Sequence, residues 1–293
     1  MPDADKQFRK NLMKTYLDCI PCFFNQALRA GRIATDDEGK IKRILDEIGI
    51  MLKDIPLENT PPETGRLIYE KVREITGNND PYKEIKIEST QKALSLYHSL
   101  KKKVEQSDDS LLSAIRIAIA GNIIDFGVNR NFDIEKELKE VCKKHFAIFD
   151  YKQFREYLDR VDEILFLGDN AGESVFDRIL IEELKKPVIY VVRDEPVIND
   201  VTHDDAILAG INKVATIVSS GTNAPGTILT TCSYEFRKLY RDSKFVISKG
   251  QGNYEGLSDE KKPIFFMLKA KCYVIANDIG VNEGDIVLKG IHV

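Results

Sequence analysis

The stretch EILFLGDNAGESVFDRILIEELKKPVIYVVRDEPVIND, residues 163–200, decides the fold. It opens on a short apolar run (163–167) and passes through a polar, glycine-containing loop (168–173). A segment with apolar residues at spacings of three and four follows (174–186), then a second apolar run (187–192) and a second polar loop. Runs this short have the length of strands, and the three-four spacing marks a helix with one buried face. The strands do not alternate apolar with polar, so both of their faces should be covered, as in a parallel sheet wrapped by helices.

Downstream the pattern continues. ATIVS (215–219), KFVIS (244–248) and CYVIA (272–276) read as further strands, with TILTTCSYEFRKLYRD (227–242) as a helical segment between them. Upstream it changes. GKIKRILDEIGIML (39–52), PETGRLIYEKVREI (62–75), TQKALSLYHSLKKKV (90–104), SLLSAIRIAIAGNII (110–124) and IEKELKEVCKKHF (134–146) all carry helical spacing. Pro61-Pro62 opens one of these helices and Gly77-Asn78-Asn79-Asp80-Pro81 closes it. The expectation is an α/β fold with a doubly wound, mostly parallel sheet in residues 156–293 and an all-helical region, residues 1–155, packed beside it.

Composition narrows the function classes. At 293 residues the chain can bury a core without disulfides, and its five cysteines are an odd number for a disulfide framework. A net charge of −4 with dispersed basic residues gives no footprint for a nucleic-acid backbone. Apolar runs such as PIFFML and VIYVV fall well short of the roughly 20 residues that span a bilayer. The charged start MPDADKQFRKNLMK does not read as a secretory signal, so a cytoplasmic protein acting on a small molecule is expected.

In an open α/β sheet the ligand lies beyond the carboxyl ends of the strands. The loops there are Gly168–Glu173, Arg193–Asp200 and Ser248–Glu255, all polar. Asp169, Asn170 and Asp200 offer hard oxygen ligands suited to Mg²⁺ or Mn²⁺, with coordination positions left for water and phosphate oxygens. Lys249 offers a point charge for a phosphoryl group, and Gly250 and Gly252 allow backbone N–H groups to approach it. Such an ion would polarise the phosphoryl oxygen and acidify a bound water, which phosphate-ester hydrolysis requires. Taken singly the pieces are weaker. An Asp-Asn-x-Gly stretch is common in turns, and Gly256 falls one residue too late to complete a dinucleotide fingerprint.

AGNIIDFG (120–127), GDNAGE (168–173), PVINDVT (196–202) and SKGQGNYEGL (248–257), in this order and spacing, closely resemble the DUF89 family, also called the ARMT1-like or damage-control phosphatase family. CIPC (19–22) and TGNNDPY (76–82) resemble its prokaryotic CxxC-bearing branch. The resemblance implies a metal held by Asp169, Asn170 and Asp200, and Lys249 on the substrate phosphate with Asn253 and Glu255 nearby. It implies Asn122 and Asp125 at the pocket wall. It also implies hydrolysis of small phosphorylated metabolites such as sugar phosphates with Mn, Ni, Co or Mg. Among neighbouring acids, the motif match favours Asp200 as ligand over the Asp204–Asp205 pair.

A carboxyl methyltransferase using S-adenosylmethionine is the alternative activity ascribed to the family. The usual glycine-rich turn after the first strand is replaced here by the carboxylate of GDNAGE, which disfavours it. A non-catalytic metabolite-binding protein is a third reading. No Asp-x-Asp follows the first strand, so direct attack by water is expected over an aspartyl-phosphate intermediate. Cys19-x-x-Cys22 fits a packed helix start with Pro21 in the first turn, or a metal or disulfide tie that could draw on Cys142, Cys232 or Cys272. A redox pair is disfavoured, because thioredoxin-type motifs follow a strand. His203, three residues past Asp200, could orient a ligand, though a surface helix position suits it better.

Overall fold

The computed structural model describes residues 13–121 and 144–293. Asn122, Asp125 and Cys142, and most of the expected helix 134–146, lie outside the described residues.

Helices α1 (Cys19–Ala34), α2 (Glu38–Asp54) and α3 (Pro61–Thr76) form a cap with its own core, built on Phe23, Ala27, Ile44, Ile48, Ile68 and Val72. The limits of α3 follow from local chemistry. Glu63 accepts from the Thr60 N–H at 2.6 Å in a capping box, Pro61 fits the first turn, and Gly77 takes the left-handed conformation (φ 73°) that ends the helix. Then come α4 (Lys83–Glu105), α5 (Ser110–Gly121), β1 (Phe146–Phe149), α6 (Tyr151–Arg160), β2 (Ile164–Leu167), α7 (Ser174–Leu184), β3 (Val188–Val192) and α8 (His203–Ala209). The chain continues through β4 (Thr216–Ser219), α9 (Tyr234–Asp242), β5 (Val246–Lys249), α10 (Gln251–Leu257), β6 (Ile264–Lys269), α11 (Tyr273–Ile279) and β7 (Ile286–Ile291).

The seven strands run in the order β1-β7-β6-β5-β2-β3-β4, and every pair is parallel except β6–β7. Successive strand residues feed opposite cores, as the two-residue period requires. Ile164, Phe166, Tyr190 and Ile247 pack with α4, α5, α6 and α7 on one face. Leu165, Leu167, Val246 and Phe266 pack with α9, α10 and α11 on the other. The mostly parallel sheet, covered on both faces, is the architecture the sequence predicts.

Three particulars differ from the sequence reading. CYVIA (272–276) falls in helix α11, not in a strand: Ile275, Ala276 and Ile279 form its buried face and Gly280 at φ 85° closes it. The strands on that side are β6 and β7, which pair with each other over six positions. The sheet also begins before residue 156, because β1 pairs with β7 and α6 packs on the same face as α4 and α5.

Topology fixes where a ligand can bind. From β2 the chain moves outward to β3 and β4, then returns to place β5 on the other side of β2. The loops after β2 and β5 therefore diverge around a crevice, the switch point of a doubly wound sheet. The cap lies over this edge: Val197, in the loop after β3, is buried in the cap's own core.

Candidate active site

Two loops are zipped together at the switch point. The Ala171 N–H donates to the Asn199 carbonyl at 2.9 Å and the Val201 N–H to the Asp169 carbonyl at 2.8 Å, so Asn170 and Asp200 face each other as an antiparallel bridge. Between them Ile198 holds φ at 46°, a conformation costly for a β-branched residue and one that turns the chain into Asn199 and Asp200. The structure thus brings Asp169, Asn170 and Asp200 together, the first and last buried. The Asn170 amide nitrogen lies 2.8 Å from an Asp169 oxygen and 3.1 Å from a Glu173 oxygen.

Negative charge is in excess here. Burial, followed by the charges of Glu173 and Asp200, pushes the Asp169 carboxyl far above the usual carboxylate range. Burial also raises Asp200, although Arg193 acts against the shift through a 2.8 Å ion pair. Two carboxylates and an amide whose oxygen a flip would bring round can offer oxygen ligands of the kind a hard divalent cation takes. Among the described residues no group of three His, Cys, Asp or Glu side chains is placed to hold a metal ion by itself.

Gly250 shows how tightly the third loop closes on this pair. A side chain there would have its Cβ 2.0 Å from an Asp169 oxygen, and φ is 78°, so only glycine lets the loop press on the carboxylate. Its N–H donates to the Met267 carbonyl at 3.2 Å, and a Cβ at Gly252 would meet the Pro225 carbonyl at 2.2 Å. The glycines therefore admit protein groups, where the sequence suggested a phosphate.

Lys249 differs more. Its ammonium is fully buried, and its three donors go to Glu173 (2.5 Å), Asp177 (2.5 Å) and the Ala118 carbonyl (2.9 Å). Burial disfavours its charge, but Asp177 and Glu173 outweigh that and hold it protonated. Asp177 in turn is raised to about 6 by burial, with Lys249 working against the shift. In this arrangement Lys249 is a strut beneath Glu173, and the direct phosphate contact expected of it is not what the structure presents. Asn253 is equally committed. Its amide donates to the Gly168 and Lys249 carbonyls and accepts from Arg193 and Thr227, using all of its capacity to tie strand ends together.

Glu255 does reach the open space. With Asn199, Gln251, Lys271, Arg29 and Tyr69 it helps line a cleft of about 540 Å³ between the cap and the sheet edge. Burial raises its carboxyl to about 7, against the opposing hydrogen bond from Gln251. Cys19 and Cys22, at the start of α1, line the same cleft with Cys272, and all three are free thiols. Burial raises both Cys19 and Cys272, which disfavours a reactive thiolate. His203 is exposed at the start of α8 and touches Asp204, not Asp200. Asp205 caps α8 and receives Lys86, which also pairs with Asp80 of the TGNNDPY segment and so locks the helical region to the sheet.

Glu173, Asp177 and Arg193 were missed as site residues. Their signals were in the sequence: Glu173 and Asp177 are one helical turn apart, and Arg193 is a charge directly after a wholly apolar strand, where charges are rarely buried without a partner.

Comparison with known proteins bears on this geometry. The sequence profile of the damage-control phosphatase ARMT1-like domain matches residues 15–287. A damage-control phosphatase of Pyrococcus horikoshii is 35% identical over 282 residues, covering 94% of this chain and 97% of its own. One of Archaeoglobus fulgidus is 34% identical over 284 residues, covering 94% and 98%. The crystal structure of a DUF89 family protein from Pyrococcus horikoshii superposes with a TM-score of 0.87 at 34% identity, covering 94% of this chain and 98% of that one.

Proposed function

The chain belongs to the damage-control phosphatase ARMT1-like family, and on that premise we propose that it is a divalent-metal-dependent phosphatase of small phosphorylated metabolites, sugar phosphates among them. The observation that carries the proposal is the meeting of Asp169, Asn170 and Asp200 at the switch point of the sheet, beside a cleft whose lining includes Asn199, the neighbour of Asp200 in the chain.

Asp169, Asn170 and Asp200 would hold the ion, one of Mn, Ni, Co or Mg. Bound there, it supplies Lewis-acid polarisation of the phosphoryl group and acidification of an attacking water. The chain's own groups prepare that site. Arg193 fixes the Asp200 carboxylate, and Glu173, itself anchored by Lys249, engages the Asn170 amide. An amide nitrogen placed against two carboxylates marks where a cation would draw the amide oxygen by a simple flip. Glu255, raised to about 7, can give or accept a hydrogen bond with a substrate hydroxyl near neutrality. The cap closes the cleft from above and limits access of water to the bound ester.

A screen for phosphate release over phosphorylated metabolites, with each divalent metal and with chelator, tests the proposal. Metal-dependent release that chelator abolishes is the expected result. No release from any ester, together with a rise in melting temperature with S-adenosylmethionine, would favour the methyltransferase.

A further inference from the structure

The turn that delivers Asp200 is held from two sides. The Asp200 N–H donates to the Val197 carbonyl at 3.1 Å and closes residues 197–200 into a tight turn, with Ile198 at φ 46° inside it. An isoleucine in the left-handed region is strained, and such a conformation persists where its surroundings over-determine it. On the sheet side the loop is fixed at Asn199 and Val201, by their bonds to the loop after β2.

The cap fixes the other side. Val197 is buried in the cap's own core, a cluster that includes Ile68, Tyr69 and Val72 of α3, and Ile198 packs against the same cluster. One residue earlier, the Pro196 carbonyl accepts from the guanidinium of Arg73, also on α3, at 3.3 Å, and the same nitrogen lies 3.2 Å from a Glu195 oxygen. Residues 196–198 therefore engage the cap, while the next two, Asn199 and Asp200, meet the loop that carries Asp169 and Asn170. The strained residue sits at the changeover, so the cap contacts on Pro196 and Val197 offset what Ile198 costs.

We propose that Arg73 is a positioning residue for the metal ligand Asp200: with Val197 it couples docking of the cap to the strained turn that sets the Asp200 carboxylate against Asn170, an inference that rests on the metal site of the phosphatase reading above. Arg73 touches neither the ion nor the substrate and acts through Pro196 and the turn. Metal affinity then scales with the fraction of molecules in which the turn is formed. The coupling is reciprocal, so an ion at Asp200 holds the cap down in the same measure.

The test is calorimetric titration of chelator-stripped protein with Mn²⁺, no ester being present, in wild type, Arg73→Met, Arg66→Met, and Ile198→Gly with and without Arg73→Met. Arg73→Met should bind Mn²⁺ about 10-fold more weakly, the lower end of what loss of an outer partner does to a metal site. Arg66→Met removes a different ion pair of the same helix, to Glu70 at 2.6 Å, and should bind within about twofold of wild type. Glycine adopts the turn without strain, so in the Ile198→Gly background the Arg73→Met change should cost no more than about twofold. In wild type, Mn²⁺ should slow amide hydrogen exchange along α3. The assignment is overturned by Arg73→Met binding within about twofold of wild type, by an equal loss in Arg66→Met, by an undiminished loss in the Ile198→Gly background, or by α3 exchange that Mn²⁺ leaves unchanged. Wild-type protein that binds Mn²⁺ yet releases phosphate from no ester overturns the phosphatase reading and leaves this coupling standing. Wild-type protein that binds no Mn²⁺ overturns both.

Discussion

Replacing Lys249 with methionine separates a structural strut from a phosphate ligand. The ammonium is fully buried between Glu173 and Asp177, both themselves fully buried in their side chains. Lys249→Met therefore leaves two carboxylates in the interior without their cation, a loss that costs about 3–5 kcal/mol for a broken buried pair. At roughly 2 °C per kcal/mol for a chain of this size, the melting temperature should fall by about 6–10 °C at pH 7. The sign of the pH dependence follows from the same geometry. Lys249 works against the burial that raises Asp177, so without it the folded-state pKa of Asp177 rises further, and the destabilisation is full at high pH and shrinks as pH falls through that value. Thermal melts from pH 5 to 8 read this directly, and adding Glu173→Gln with Asp177→Asn to Lys249→Met should restore most of the loss. A Lys249→Met protein that melts within about 1 °C of wild type at pH 7, and whose defect is confined to phosphate binding, would refute the strut and return Lys249 to the substrate.

Asp169→Asn removes a carboxylate that burial, Glu173 and Asp200 all penalise. The ion-free variant should melt higher than ion-free wild type, by roughly 2–5 °C, while its Mn²⁺ affinity collapses; a lower melting temperature would contradict the charge excess. Glu255, raised to about 7, holds its proton longer in the folded state than in the unfolded one. Its contribution is therefore intact below the unfolded carboxylate pKa and is lost as pH rises through 7, by an amount on the order of 3 kcal/mol at most. Glu255→Gln should flatten the fall in stability between pH 5 and 8, measured by urea unfolding in chelator. Cys19→Ser with Cys22→Ser should leave phosphate release within about twofold of wild type, with or without reductant, because burial raises Cys19 and disfavours its thiolate.

Much of the fold was legible because the strands are buried on both faces. Ile164–Leu167 and Val188–Val192 admit almost no polar residue, so length and bounding loops define them. CYVIA misled for the same reason: five apolar residues carry no period, and the helix shows only when Ile279 and Gly280 are counted with it. The strand Ile286–Ile291 was hidden by Lys289 and Gly290 near a sheet margin, where polar residues are tolerated. In the site, the rule that ligands bind at strand ends put Asp169, Asn170 and Asp200 at one edge of the sheet, where the structure brings them together. It could not show that Lys249 is buried. Lys249 ends a strand beside turn residues, and only the folded chain shows Glu173 and Asp177 meeting it inside the protein.

The metal site is the centre of the account, and calorimetric titration of chelator-stripped protein with Mn²⁺, followed by phosphate-release assays on the same samples, tests it most directly. Binding to one site, release that rises in proportion to occupancy, and loss of both in Asp169→Asn and Asp200→Asn with unchanged circular dichroism are predicted. Phosphate release that persists undiminished in chelator, or in either variant, would contradict it.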